Sequence, residues 1–249
     1  MKKPSWETML AIYFIALSAI LYILDIEIFQ NAKEIFFWFM MSLAFLPFEV
    51  FLVSVVINRL ISEKERRSKR DKLNMVIGAF YSEVGSSLLR QLLGFNVLNG
   101  EMLSMTCAVV PAWTGAEFSA ARAKVRTLPI VTDAVDAGGN MEELKLFLVG
   151  KRVFMLGLLE NQNVLEHEEF TDVLWAVFHL TDELAARNEV SALSAPDRAH
   201  LRGDIARAYK PLITEWLSYM CHIKTSYPYL FSLAVRMNPF NPAASPVVK

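Results

Sequence analysis

The chain has 249 residues, 54% of them hydrophobic and 20% charged, with a mean hydropathy of +0.32. So many charges exclude a chain that lives wholly in lipid, and so apolar an average is unusual for a soluble domain, so the composition predicts a small membrane unit joined to one soluble domain. A formal net charge of -1 excludes the global basic field that nucleic acid selects. The two distant cysteines, Cys107 and Cys221, form no C-x-x-C pair, which excludes a zinc framework or redox motif and points to a reduced compartment.

The first apolar run, Met9 to Leu24, is uncharged, and Trp6 and Tyr22 place amphipathic rings near its ends. Extended to residues 6–27, it reaches the roughly 20 residues that a hydrocarbon core of about 30 Å requires. Lys2 and Lys3 precede it, as in a signal peptide. No small-x-small cleavage site follows, so the run is expected to stay as an anchor. A second run, residues 35–57, is interrupted by Pro47 and carries one ionisable residue, Glu49. The short connection from Asp25 to Glu34 forces an antiparallel hairpin, residues 1–61, with both flanks on one side. Lys64, Arg66, Arg67, Lys69, Arg70 and Lys72 follow the second run, whereas the connection holds Asp25, Glu27 and Glu34 against Lys33. This asymmetry predicts a multi-pass protein of the inner or plasma membrane with both termini cytoplasmic. The basic cluster reads either as a topology signal on a solvated helix, with Glu63 and Glu65 interleaved, or as a site for anionic headgroups at about 1 kcal/mol per cation.

A carboxylate inside a span is unfavourable by a few kcal/mol and usually faces a bundle interior or a wet cavity. Glu49 lies about nine residues from the boundary near Asn58, roughly 13 Å at the rise of an α-helix, too deep for its short side chain to reach headgroups. Tyr13 and Ser18 fall at similar depth on the first run, so either hydroxyl is a candidate partner. Glu49 is then a protonated packing group, bonded to such a hydroxyl or to a carbonyl freed by Pro47. The alternative is a pore-lining or proton-handling carboxylate in a homo-oligomer.

Residues 62–237 read as an irregular cytoplasmic helical bundle, which makes the whole chain all-α. Leu73, Ile77, Phe80, Val84 and Leu88 recur at helical spacing and predict a buried stripe on a helix that ends near Gly94. Asn96 to Pro111 is less regular, with Asn99-Gly100 as a turn signal and an extended piece at Cys107 to Val110. Thr114-x-x-Glu117 and Asn140-x-x-Glu143 have the capping-box form and announce helices at residues 116–127 and from Met141 to about Glu160. The stretch DAGGN, Asp136 to Asn140, is the turn between them and matches no phosphate-binding loop. A further helix is expected at Glu166 to Arg187 and another after Ser194-Ala195-Pro196-Asp197, with Pro211 and Pro228 dividing the last helical region. The aromatic segment Tyr227 to Phe240 reads as a last core helix or as an amphipathic piece resting on a membrane or partner. Residues 238–249, with three prolines, are expected to be loose.

His167, His179, His200 and His222 lie among carboxylates on these helices. A carboxylate-bridged site in a bundle calls for Glu-x-x-His motifs, and no histidine has Glu three positions before it. At about 100° per residue, His179, Asp172 and Glu183 fall opposite the apolar face of their helix and are expected to be solvated or partner-facing. Glu215 and His222 flank another apolar stripe two turns apart. No residue is therefore assigned as catalytic, no metal ligand is assigned and no cofactor is implied. G-x-S-x-G and H-E-x-x-H are both absent. The expected function is a membrane-anchored scaffold or sensor that self-associates or docks a protein partner at the cytoplasmic face. An oligomeric ion or proton channel and a metal-binding membrane-associated enzyme are the alternatives. The expected partners are the lipid bilayer, further copies of the chain and a protein, with no nucleic acid.

Overall fold

The computed structural model describes residues 6–29, 31–95, 97–130 and 140–248. The DAGGN turn, apart from Asn140, lies outside them. The fold is all-α, with no strand among the described residues. The chain divides into two compact units, one up to Arg66 and one from Arg67 onward.

The first unit contains α1 (Trp6–Phe29) and the larger part of α2 (Ala32–Phe80). The Asn31 carbonyl accepts the amides of Glu34 and Ile35, which starts α2 immediately after the connection. Both helices are long and apolar enough to cross a membrane. Tyr22 meets Phe39 edge to face, with ring centroids 5.6 Å apart. Nearly every described large apolar side chain between Trp6 and Ile61 is exposed, as Ile15 at 70%, Trp38 at 65% and Phe51 at 67% illustrate. Pro47 does not interrupt α2, contrary to the sequence expectation. One missing backbone bond among many bends or weakens a helix without ending it.

In the second unit the expected stripe is buried: Leu73, Ile77, Phe80, Val84 and Leu88 all lie in the core. A π-helical turn, Tyr81–Gly85, intervenes before α3 (Ser86–Leu93), which ends at Gly94 as the spacing predicts. Gly85 is required there, because a Cβ would lie 2.4 Å from Cδ1 of Tyr81. That ring has little room to yield. Its hydroxyl donates to the Leu212 carbonyl at 2.8 Å, and it stacks on Tyr219 with centroids 5.2 Å apart.

Asn99, expected in a turn, instead caps α4 (Gly100–Thr106) by accepting the Met102 amide. Cys107 to Val110 is not a strand; Cys107 closes α4, and its buried thiol is pushed up to about 12 by desolvation. α5 (Gly115–Thr127) carries the Thr114–Glu117 capping box, and Asn140 starts α6 (Met141–Leu159) by accepting the Glu143 amide. A short α7 (Gln162–Leu165) precedes α8 (Glu168–Ala185), whose first turn holds Glu168 and Glu169 where the helix dipole favours acids.

The longest helix of this unit, α9 (Ala195–Ser226), is its hub, packed against α8, α5, α10 and α3. Ser194 caps it, and Pro196 occupies the first turn, where its missing amide costs nothing. Pro211 was expected to divide this region, yet α9 continues through it. The surrounding turns bury Tyr209, Leu212, Ile213 and Trp216, and burial of about 1.5–3 kcal/mol per large side chain outweighs the roughly 3 kcal/mol that an internal proline costs. Pro228 does mark a boundary, since α10 (Pro228–Arg236) starts there. The segment expected to be loose from Asn238 is fixed at its start. Asn238 donates to the Cys107 carbonyl at 2.8 Å, and Phe240 is buried edge-on against Trp216.

Candidate functional site

Two short sequence repeats meet between α8 and α9. His179 and Glu183 are four residues apart on α8, and His200 and Asp204 are four apart on α9. That spacing puts each histidine one turn from its acid on the same helix face. The segment between Ala186 and Ser194 turns the chain back, so the pairs meet crosswise. Nε2 of His179 lies 3.6 Å from Asp204 Oδ1 and 4.0 Å from Glu183 Oε1; Nε2 of His200 lies 3.4 Å from Glu183 Oε2 and 3.3 Å from Asp204 Oδ2.

The Asp204 side chain is only 1% exposed, whereas both imidazoles are about half exposed. Asp204 Oδ1 accepts from Arg207 at 2.6 Å, while its buried Oδ2 has no hydrogen-bond partner. Glu183 Oε2 accepts from Arg187 at 2.8 Å, and Arg187 also makes a two-pronged pair with Asp197 at the start of α9. Hydrogen bonding from Arg187, helped by the charges of Arg187, His200 and His179, holds the Glu183 carboxyl below its usual range. It is therefore anionic near neutral pH. One atom each from His179, Glu183 and Asp204 can be chosen so that all three lie within 4.8 Å of one another, a spacing that can hold a metal ion.

Asp172 and His179 are exposed and Glu183 is half-buried, off the core face as the angular reading of α8 expected; what that reading did not give is that His179 and Glu183 face the first turns of α9. A search for Glu-x-x-His missed them because the acid follows the histidine here, at four residues and not three. The available signal was the repeated His-x-x-x-acid pattern on either side of a predicted turn. The other histidines have separate local roles. His167 Nδ1 accepts the Phe170 amide and caps α8, and His222 shares a hydrogen bond with Asn74. Glu215 is buried and lines a pocket of about 260 Å³ with Arg126, Glu169, Asp172, Lys210 and Thr214.

Glu49 is exposed on α2, two residues beyond Pro47, and Ser18 and Tyr13 are exposed on α1. Among the described residues, neither hydroxyl is hydrogen-bonded to Glu49. Of the basic cluster, Lys64, Lys69, Arg70 and Lys72 are exposed, and Lys69 pairs with Glu166 at 2.9 Å. The side chains of Arg66 and Arg67 lie outside the described ones.

The fold thus defines an all-helical protein with an apolar N-terminal pair and a packed helical domain. Residues 69–236 match the family model described as "Uncharacterized protein MJ1433, C-terminal helical domain", and residues 2–61 match "MJ1433, N-terminal helical domain". The uncharacterized protein MJ1433 of Methanocaldococcus jannaschii is 37% identical over 241 residues, covering 97% of this chain and 96% of that protein. The chain belongs to the MJ1433 family. No solved structure matches it.

Proposed function

We propose that α1 and the apolar part of α2 anchor the protein in a membrane with both termini cytoplasmic, and that the helical domain works there as a scaffold or sensor. One observation carries this reading: the candidate spans have none of their apolar residues buried by the rest of the chain. Side chains such as Phe36, Phe37, Trp38 and Phe51 would each gain about 1.5–3 kcal/mol on leaving water. A bilayer removes that cost along both helices at once. Two antiparallel spans also satisfy their backbone groups internally, as lipid demands. The basic residues after the second span, set against the acidic connection, support the orientation. On the helical domain, α6 points Leu146, Val149 and Val153 outward along one face, which suits docking of a protein partner.

The anchor is tested by extracting native membranes with alkaline carbonate and by proteolysis of sealed vesicles. The protein should remain in the membrane pellet, and the helical domain should be digested only where the cytoplasmic face is accessible. Release of the intact chain by carbonate would remove the reading.

A further inference from the structure

We propose that His179, Glu183 and Asp204, with His200 alongside at the other carboxylate oxygens, form a binding site for a divalent first-row transition metal of the class of Zn²⁺ and Fe²⁺, clamping α8 to α9. This goes beyond the anchored scaffold and does not depend on it. Three observations converge on it. The first is spacing. A tetrahedral ion with bonds of about 2.0–2.2 Å to nitrogen and oxygen sets its ligands about 3.3 Å apart. His179 Nε2 stands 3.6 Å from Asp204 Oδ1 and 4.0 Å from Glu183 Oε1, close to that edge, and one atom each of these three residues lies within 4.8 Å of the others; His200 Nε2 faces the other oxygen of each carboxylate, at 3.3 and 3.4 Å. A direct charge-assisted hydrogen bond would bring the same atoms to about 2.7–2.9 Å. His179 and the two carboxylates are therefore spaced more like ligands around a shared centre than like partners bonded to each other.

The second is an unmet need. Asp204 Oδ2 is buried without a hydrogen-bond partner, although burying an unsatisfied carboxylate oxygen is unfavourable. It lies 3.3 Å from His200 Nε2, inside the cluster. An ion between α8 and α9 would satisfy it. The third is chemistry. Two imidazoles with two carboxylates suit zinc or ferrous iron, whereas Mg²⁺ and Ca²⁺ prefer oxygen-only shells. Both histidines would bind through Nε2 with the proton on Nδ1.

The arginines complete the site. Arg187 holds Glu183 in place and links it to Asp197, so that the carboxylate is oriented before an ion arrives. Arg207 holds Asp204 Oδ1 at 2.6 Å and is 62% exposed, so an ion at that oxygen would displace it into solvent. The half-exposed imidazoles leave a path for exchange, so the site reports metal availability instead of burying a permanent structural ion.

The test uses the untagged, purified full-length chain stripped with a chelator and titrated with Co²⁺ as spectroscopic probe, then with Zn²⁺ in competition. One ion per chain is expected, with the visible absorption of low-coordinate cobalt, displacement by Zn²⁺ and no competition from Mg²⁺. The double variant H179Q/H200Q should bind at least about 100-fold more weakly, since losing even outer partners of a metal site costs 10–100-fold. Circular dichroism should show its helix content unchanged, because both side chains are half exposed. H222Q, which alters a histidine outside the cluster, should bind as the wild type does. Absence of stoichiometric binding in the wild type, equal loss in H222Q, or full affinity in the folded double variant would each overturn the site.

Discussion

Glu215 is the buried carboxyl whose ionisation the fold opposes. Desolvation raises its pKa above the ordinary carboxylate range, Glu169 raises it further, and His167, Arg122 and Arg126 pull it partly back. The folded chain thus keeps a proton that the unfolded chain has already released. In that window the native state binds more protons, so stability falls as pH rises through it and is greatest on the acid side. Glu215→Gln should therefore stabilise the protein at neutral pH and give no gain below about pH 4, where both states are protonated. Urea midpoints across pH measure this, and a pH-independent difference would contradict it. Gly85 shows the limit of reading residues one at a time. Its neighbours Val84 and Leu88 were legible as core from apolar spacing. The need for a glycine was not, because it arises from a Tyr81 ring held by Leu212 and Tyr219, both far away in sequence.

Among elements, the helices with strong local signals were readable. Thr114–Glu117 and Asn140 start α5 and α6 where expected, and Ser194 with Pro196 starts α9. Local signals failed where tertiary burial overrode them. Pro211 did not stop α9, and the proline-rich start of the tail was captured by the core. Phe240→Ala should accordingly cost about 3–5 kcal/mol in denaturant unfolding, the usual loss for a buried aromatic, where a loose tail would show almost none. The His-x-x-x-Glu and His-x-x-x-Asp pairs were visible as spacings, but their meeting depended on the register of α8 against α9. No single helix contains that information.

At the scale of the whole molecule, the exposed apolar pair and the lone Glu49 bear on assembly. In the proposed membrane hairpin a carboxylate would have few internal partners, and further copies of the chain would supply them. The particle extracted in mild detergent should then have a protein mass that is a multiple of 28.2 kDa, and Glu49→Leu should shift it toward the monomer; a monomeric wild type would sink this idea. What the sequence by itself determined was the helical class, most caps and the two apolar runs, because those depend on periodicity and on groups a few residues apart. Only the tertiary structure decided which prolines end helices, that Phe240 belongs to the core, and that two histidine–acid pairs meet between α8 and α9. Each of these turns on contacts between residues distant in the chain, whose energies can exceed any local preference.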